Sequence, residues 1–410
     1  MQLMVIGAGL MGPAAAYNAM IDPDVTRVTL CDRDPGQLDA ALARLAPLPG
    51  SDKVHGLQLD LADAAAPTHM AQHQAIVAAL PSTAIPLGLG AALAAGVPWI
   101  DLTWPPADAL PALRGQANAR GVLVIPGCGL EPGLTEIMAR HLAEQLDQVD
   151  ELHIKCGGIP ITPNGPLGYK IVFGGRALPL RDLPARVAEQ GRLREVERYS
   201  GVERFHVAGV GEVEAWHEGF MPWLLELDAL RGLRLGTQKT VRWPGYAAKA
   251  AVLRELGLLS QAPVQVGDAA VSPKAVVDAV LYPHVRMGEE DRDITVFQVA
   301  VSGQRRGQPA SYVMEMVDRY DEVLGFTSMA RTTAFTGAIV ARMVLRGEIR
   351  AAGWTTPEQA ITGPLLQRLV AELAAAGIHF QLASHERRHF TRPLDQPQST
   401  IGNQHLTVND

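Results

Sequence analysis

A short apolar segment followed at once by closely spaced glycines most restricts what this chain can fold into. Residues 3–6 are apolar, residues 7–12 read Gly-Ala-Gly-Leu-Met-Gly, and a helical pattern follows over residues 13–20. In such a strand–turn–helix the first glycine permits the tight turn, the second lets the backbone approach a ligand, and the third lets the helix pack on the strand. Because free amides at the helix start face an anion, the pattern predicts a dinucleotide pyrophosphate site; the alternative is a glycine-rich turn that binds nothing. The expected contacts are Gly7, Gly9, Leu10, Met11 and Gly12.

An acidic residue at the end of the second predicted strand supports a dinucleotide site. Asp32 lies 20 residues after Gly12, where a carboxylate accepts hydrogen bonds from ribose hydroxyls. Since a carboxylate also repels a 2′-phosphate, we predict NAD as the cofactor in preference to NADP. Arg33 argues for the opposite choice, because its guanidinium could pair with that phosphate or stack on the adenine. Four residues after the third and fourth strands are expected to line the rest of the groove, or else simply to end those strands: Asp60, Leu61, Leu80 and Pro81.

Strands and helices alternate over roughly the first 125 residues. Short apolar segments separated by helical patterns indicate βαβ units and a parallel sheet. The predicted strands are residues 3–6, 27–30, 57–59, 75–80, 99–102 and 122–125. The uncharged stretch 74–100 is long enough to cross a bilayer, but three prolines and three glycines interrupt it, so we predict buried strands and a helix there instead. The first residues lack a basic region and a cleavage site, and we therefore expect a soluble, cytoplasmic protein.

Composition limits the partners of this chain. Of its 410 residues, 47% are hydrophobic and 19% charged, which is typical of a globular protein with two or three domains. The 36 basic and 43 acidic side chains give a net charge of −7 without a basic block, which disfavours nucleic acid and anionic membranes as partners. Three widely spaced cysteines disfavour a disulfide scaffold and a four-cysteine zinc site. His385 and His389 have helical spacing but no acidic or thiol partners, so we expect no bound metal.

The pattern changes from about residue 151. Longer segments joined by Gly/Pro turns predict an antiparallel or mixed sheet with strands at 151–156, 169–173, 238–243 and 294–301. Apolar helices are predicted at 325–345 and 364–375, and residues from 381 onward have a weak polar pattern. The predicted fold is α/β, with a Rossmann-type parallel sheet domain and an inserted α+β domain. The expected boundaries are 1–127 for the Rossmann domain, 128–325 for the inserted domain, 326–378 for a helical return to the first domain, and 379–410 for a C-terminal tail.

Several motifs of the second half occur in a specific order. They are Gly-Cys-Gly-Leu-Glu-Pro-Gly at 127–133, Lys-Cys-Gly-Gly-Ile-Pro at 155–160, Pro-Leu-Gly-Tyr-Lys at 166–170, Lys-Thr-Val-Arg-Trp-Pro-Gly at 239–245, and the segment 316–333. Together with the N-terminal glycine turn, they resemble the saccharopine dehydrogenase family, most nearly its lysine 6-dehydrogenase branch, over about residues 1–378. Glu131 stands where many members have Asp.

The resemblance implies a Rossmann domain, an α+β substrate and dimerisation domain, and a homodimer. It also implies that a pyridine nucleotide oxidises a C–N bond of lysine or a lysine-derived amino acid. Two alternatives stay open, a saccharopine-type activity on a secondary amine and a nucleotide-binding protein without catalysis.

Oxidation of an amine by hydride transfer needs a neutral amine, a group that holds its proton, and a fixed distance to the nicotinamide. Glu131 is the candidate base, or a partner for the ammonium, with a favourable helix-start acid as the structural alternative. Lys170 and Tyr169 are candidates for proton transfer or for holding a carboxylate. Arg242 suits a substrate carboxylate because its planar fork binds one in a bidentate manner; a structural ion pair is the alternative. Cys156 is a candidate substrate contact, although packing is favoured because hydride transfer requires no thiolate.

Overall fold

Six parallel strands form the first sheet in the computed structural model, which describes residues 1–173 and 175–386. The strands are β1 (Gln2–Ile6), β2 (Arg27–Asp32), β3 (Val54–Gln58), β4 (Ala75–Ala78), β5 (Trp99–Asp101) and β6 (Val124–Ile125). The connecting helices are α1 (Gly12–Met20), α2 (Pro35–Leu45), α3 (Ala66–Met70), α4 (Ile85–Ala95) and α5 (Leu110–Arg120). The order β3-β2-β1-β4-β5-β6 reverses between β1 and β4, which places the ligand crevice of a doubly wound fold at the carboxyl ends of those strands.

The residues of β1 show why this sheet is covered on both faces. They alternate between two apolar clusters, with Leu3 and Val5 in one and Met4 and Ile6 in the other. A strand that buries both faces needs an unbroken apolar run, as the sequence predicts. The stretch 74–100 forms β4, α4 and β5 of this domain. Within the described ranges, no helix has both the length and the apolar character that a membrane span requires.

A second, mixed sheet of nine strands occupies the other half of the chain. The strands of this half are β7 (Gln148–Pro160), β8 (Ala185–Glu189), β9 (Arg192–Val196), β10 (Glu203–Val207), β11 (Gly211–His217), β12 (Leu235–Arg242), the separate hairpin β13 (Val264–Val266) and β14 (Ala269–Val271), β15 (Asp293–Arg305), β16 (Gln308–Arg319) and β17 (Gln381–Glu386). The sheet runs β10-β11-β12-β7-β15-β16-β17; β8 also pairs with β12, and β9 pairs with β8. β7 and β12 are parallel, whereas the other pairs are antiparallel.

A long buried helix returns the chain to the first domain. The helices after β6 are α6 (Leu134–Ala143), α7 (Tyr246–Glu255), α8 (Pro273–Val285), α9 (Ser328–Leu345), α10 (Pro357–Ala360) and α11 (Pro364–Ala375). α9 packs on α1, β4 and β15, so it contacts both sheets. On α9, Arg342 forms an ion pair of 2.5 Å with Asp22, and Trp354 then lies beside Val124 at the edge of the first sheet. One apolar cluster consequently extends from β1 to the inner face of the second sheet.

The predicted α/β fold is confirmed, and three details of the prediction are wrong. Residues 169–173 form no strand; they are an irregular segment whose apolar side chains divide between a separate cluster, which takes Tyr169 and Ile171, and the main core, which takes Val172. The third strand lies at Val54–Gln58 rather than at 57–59. Residues 381–386 form the edge strand β17 against β16, so the predicted tail 379–410 is in part a strand of the second sheet. Residues 387–410 of that tail, including His389, lie outside the described residues.

Candidate active site

Two glycines of the N-terminal turn have no room for a side chain, whereas the middle one has open space beside it. Gly7 has φ of +100°, and a Cβ on it would lie 2.4 Å from the Ala79 carbonyl oxygen. A Cβ on Gly12 would lie 1.8 Å from the carbonyl oxygen of Gly7, so the first and last glycines are required by the turn itself. A Cβ on Gly9, in contrast, would meet only the Gln37 side chain, at 4.0 Å. The open backbone at the second glycine fits a pyrophosphate at the start of α1. Next to it, Leu10 is 37% exposed and Met11 partly buried.

Asp32 is fixed at the carboxyl end of β2. Its two carboxylate oxygens accept hydrogen bonds from the amides of Ala8, at 2.7 Å, and Asp34, at 2.9 Å. Each oxygen keeps a second lone pair, so the carboxylate can still accept ribose hydroxyls. The side chain of the following residue, Arg33, is exposed.

The other predicted groove residues follow β3 and β4. Asp60 is exposed, and its carboxylate accepts a hydrogen bond of 2.9 Å from the amide of Ala62. Leu61 and Leu80 are neighbours, because a Cβ on Gly88 would lie 3.2 and 3.3 Å from their methyl carbons. Pro81, directly after Leu80, is exposed. These positions border the crevice at the carboxyl edge of the sheet, where the nucleotide is expected.

Glu131 joins the carboxyl edge of the first sheet to the second sheet. The loop before it is anchored to β5, since the Cys128 amide donates to the Asp101 carbonyl oxygen at 2.6 Å. The loop then closes at the start of α6, where the amide of Gly133 donates to the Glu136 carboxylate at 2.5 Å. From this loop, Oε1 of Glu131 accepts a hydrogen bond of 2.9 Å from Nε2 of Gln238 on β12. The carboxyl therefore lies between the two domains.

The surroundings of Glu131 favour its neutral form. The pKa of the carboxyl is raised to about 8, chiefly by burial; the charges of Glu136 and Glu218 act in the same direction, and the Gln238 hydrogen bond and the Arg242 charge in the opposite one. The residue as a whole is still partly accessible, so a ligand in the cleft can reach it. A carboxyl that exchanges its proton near neutral pH is suited to general acid–base catalysis.

Cys156 lies on β7 beside this carboxyl and is fully buried. Burial raises the pKa of its thiol well above the usual value, and the neighbouring Glu131 and Glu136 charges raise it further. Because the thiolate is the nucleophilic form, a thiol held protonated in this way is inert as a nucleophile. The structure thus favours a packing or hydrogen-donor role for Cys156.

Arg242 is buried, and the described residues place no carboxylate beside it. Its guanidinium carbon lies 4.8 Å from the centre of the Tyr169 ring and 5.9 Å from that of Tyr246, against which Trp216 is stacked. Nη1 donates to the Val241 carbonyl oxygen at 2.8 Å. Among the described residues, no acidic oxygen comes within 4.0 Å of the guanidinium, and Nε lacks a hydrogen-bond partner. A buried cation with a free donor is prepared to bind an anion.

The neighbouring candidates Tyr169 and Lys170 face different surroundings. The Tyr169 ring is buried under Arg242, and burial raises the pKa of its hydroxyl. Nζ of Lys170 forms an ion pair of 3.0 Å with Asp291 and donates to the Arg286 carbonyl oxygen at 3.3 Å. The structure therefore brings Glu131, Cys156 and Arg242 into one group, with the Tyr169 ring against Arg242. The charge of Lys170 is already neutralised by its ion pair with Asp291.

Two features of the site are absent from the sequence-based prediction. Gln238 lies on the same face of β12 as Arg242. Side chains of a strand alternate between its two faces, so two polar residues four positions apart in a buried strand are a signal that could have identified Gln238. Trp104, after β5, stacks on Trp223 with ring centres 4.0 Å apart. These rings come from different domains, and a Cβ on Gly127 would touch Trp104 at 3.1 Å, next to the Glu131 loop. Nothing in the sequence indicates this long-range contact.

Comparisons with known proteins agree with this architecture. The family model for the saccharopine dehydrogenase NADP binding domain matches residues 3–124, and that for the saccharopine dehydrogenase C-terminal domain matches residues 129–378. Carboxyaminopropylagmatine dehydrogenase from Synechocystis sp. is 23% identical over 392 residues, which cover 90% of this chain and 95% of the relative. Mitochondrial alpha-aminoadipic semialdehyde synthase from Mus musculus is 23% identical over 334 residues, 64% of this chain and only 36% of that longer protein.

A solved structure shares the complete fold. The apo form of saccharopine dehydrogenase (L-Glu forming) from Saccharomyces cerevisiae superposes with a TM-score of 0.76 at 18% sequence identity. The match covers 94% of this chain and 99% of the yeast chain, so both domains and their connection are common to the two proteins.

Proposed function

The chain belongs to the saccharopine dehydrogenase family of pyridine-nucleotide oxidoreductases, and we propose that it oxidises a C–N bond of lysine or a lysine-derived amine. The observation that carries this proposal is the Glu131 carboxyl. It lies at the junction of the nucleotide crevice and the second sheet, and its pKa of about 8 allows it to exchange a proton at physiological pH. That is the group which amine oxidation requires beside the hydride-transfer site.

The bound cofactor and Glu131 have separate roles in the proposed reaction. A bound nicotinamide supplies the hydride acceptor. Glu131 takes a proton from the substrate ammonium and leaves a neutral amine, from whose carbon a hydride can depart to give an iminium ion. Water adds to that carbon, the C–N bond breaks, and ammonia or a second amine is released. The protonated Glu131 returns its proton in the reverse direction.

Arg242 supplies the second element of substrate recognition. Its guanidinium has no acidic partner in the described parts of the chain, and its Nε is free to donate. A substrate carboxylate would provide the missing negative charge. We therefore assign Arg242 to the carboxylate of the amino-acid substrate, with the Tyr169 and Tyr246 rings in contact with the guanidinium.

The two candidate activities differ in the size of the amine substrate. Lysine 6-dehydrogenation follows from the sequence resemblance. A saccharopine-type activity on a larger secondary amine is favoured by the carboxyaminopropylagmatine dehydrogenase match, which extends over nearly the whole of both chains. The Trp104–Trp223 stack supports this second candidate, because an aromatic wall beside the Glu131 loop can contact a substrate arm that lysine lacks.

The cofactor proposal is NAD. The fixed Asp32 carboxylate accepts ribose hydroxyls and repels a 2′-phosphate, although the matching family model is described as NADP binding and Arg33 is exposed nearby. We further propose a homodimer, as the resemblance implies, which sedimentation or light scattering would test.

A substrate panel tests the proposed function. Purified protein is mixed with NAD or NADP and with L-lysine, saccharopine or an N-substituted agmatine, and the formation of reduced cofactor is followed. We expect reduction with at least one amine, faster with NAD, and none without amine. The Glu131→Gln variant is the matched control, because it keeps the shape of the side chain but cannot take a proton. Cofactor reduction that is independent of any amine would refute the proposal.

A further inference from the structure

One side-chain amide is shared between two buried carboxyl groups at the cleft. Nε2 of Gln238 donates to Oε1 of Glu131 at 2.9 Å and to Oε1 of Glu136 at 3.0 Å. The other end of the same amide is fixed as well, because its oxygen accepts the amide of Met221 at 3.2 Å. Both hydrogens of the amide nitrogen are thus used on carboxyl oxygens, and the orientation of the Gln238 amide is determined by its contacts.

The two carboxyl groups differ in the number of donors that they receive. Glu136 accepts the Gly133 amide at 2.5 Å and the Thr135 hydroxyl at 2.8 Å in addition to Gln238. Among the described residues, Glu131 receives the Gln238 amide and the weak thiol donor of Cys156. Hydrogen bonds to a carboxylate favour its charged form, and two neighbouring carboxyls resist ionising together. Burial raises the pKa of Glu136 as well, but its three donors act against burial, so Glu136 is the member of the pair that ionises first and Glu131 the one that keeps its proton to a higher pH.

We propose that Glu136 is a positioning residue of the reaction, which holds Glu131 in the cleft through Gln238 and, as the charged member of the pair, keeps the proton on Glu131 to a higher pH. This inference rests on the proposed role of Glu131 in proton transfer. Glu136 lies on α6 with no exposed surface, so it contacts no substrate and acts through Glu131 and Gln238. Because solvent cannot screen a charge in this position, the effect of Glu136 on its neighbour is strong.

The other charged groups around the pair are known from the structure. Glu218 acts on Glu131 in the same direction as Glu136, but its charge is engaged by Arg198 and Arg181. The positive charge of Arg242 on β12 and the neutral thiol of Cys156 on β7 also face the pair. On the far side of Glu136, α10 carries the buried Glu358. All of these remain when Glu136 is changed, so their contribution is constant in the comparison.

Opposite shifts in two variants test the proposal. The pH dependence of kcat/KM is measured for the wild type, Glu136→Gln and Gln238→Leu. Glu136→Gln removes the repelling charge, so the midpoint of the Glu131 limb should move to lower pH by about 1 unit. Gln238→Leu removes the amide donor to Glu131, so the midpoint should move to higher pH. Glu144→Gln is the matched control, since it makes the same change at the exposed end of α6 and should leave the midpoint unchanged.

A spectroscopic titration separates this proposal from the proposed function. The infrared carbonyl band of protonated Glu131, assigned by subtracting the Glu131→Gln spectrum, is followed against pH without substrate. Movement of this titration to lower pH in Glu136→Gln supports the role of Glu136 even if no amine is oxidised. An unchanged titration overturns the role even if the enzyme is active. If Glu136→Gln does not fold, the Thr135→Val titration decides, because it removes a donor from Glu136 and none from Glu131: a shift of the Glu131 titration to lower pH supports the proposal and no shift overturns it.

Discussion

Arg242 offers the sharpest test of substrate recognition, because the structure separates its catalytic use from a structural one. The guanidinium is buried, has no acidic partner among the described residues, and keeps Nε free. Replacement by alanine removes the binding group for a substrate carboxylate and leaves no protein carboxylate unpaired. We expect Arg242→Ala to lower kcat/KM strongly and to affect folding and cofactor affinity little.

The size of the effect follows from the contacts. A hydrogen bond to a charged group contributes about 1.5–3 kcal/mol, so the loss of a bidentate pair should cost about 2–4 kcal/mol, or about 30- to 1,000-fold in kcat/KM. In the unliganded protein the variant loses cation–π contacts with Tyr169 and Tyr246, worth about 0.5–2 kcal/mol, and gains from removing an unpaired buried charge. The two terms oppose each other, so Tm should change by no more than about 3 °C.

Steady-state kinetics, cofactor titration and thermal denaturation of Arg242→Ala and Arg242→Lys provide the test. The lysine variant should recover activity only in part, because a point charge cannot reproduce the planar fork. Arg342→Ala is the contrasting control, since Arg342 is paired with Asp22 and Glu372 and should lose stability rather than catalysis. If Arg242→Ala instead loses stability together with activity, or keeps normal kinetics, the assignment to a substrate carboxylate is wrong.

Three further outcomes are expected. Replacing Asp32 with Ser should shift the preference towards NADP, and a wild-type preference for NADP above about tenfold would make Arg33 the determinant instead. In the oxidative direction activity should rise on the alkaline side, since an amine with a pKa near 10.4 must lose its proton; a flat profile between about pH 7 and 10 would count against amine oxidation. Thermal stability should fall as pH rises from about 7 to 8, because buried carboxyls of the folded state still bind protons there; a Tm that rises over this range would contradict the pKa directions. Below about pH 7 the histidines whose pKa values burial lowers, His73, His141 and His217, act in the opposite direction. The responsible carboxyls, whose pKa values burial raises, are Glu131, Asp101, Glu358 and Asp293.

The sequence predicted the first domain well because its signals are local. Apolar runs, the glycine turn and the position of Asp32 depend on neighbours within a few residues, and the structure forms β1, β2 and α1 accordingly. The second sheet was predicted only in part. Residues 169–173 have the apolar content of a strand, but tertiary packing of Tyr169 and Ile171 in the Tyr246 cluster, and of Val172 in the main core, overrides that preference.

The site contains contacts that no local pattern encodes. Glu131, Cys156 and Arg242 are predicted from motifs, whereas Gln238 becomes important only because β12 lies parallel to β7 beneath the Glu131 loop. The pairing of residues 381–386 with β16 is likewise a long-range event, and a polar segment at the end of a chain gives no signal for it.

The comparison of Glu131→Gln with the wild type tests the central claim most directly. With the amine that the substrate panel identifies, kcat/KM and the cofactor dissociation constant are measured for both proteins. Loss of a general base should lower kcat/KM by about 10²- to 10⁴-fold and leave cofactor affinity unchanged, because Glu131 lies at the junction with the second sheet rather than in the phosphate turn. A variant that keeps kcat/KM within about threefold of the wild type would contradict the account, because hydride transfer would then proceed without this carboxyl.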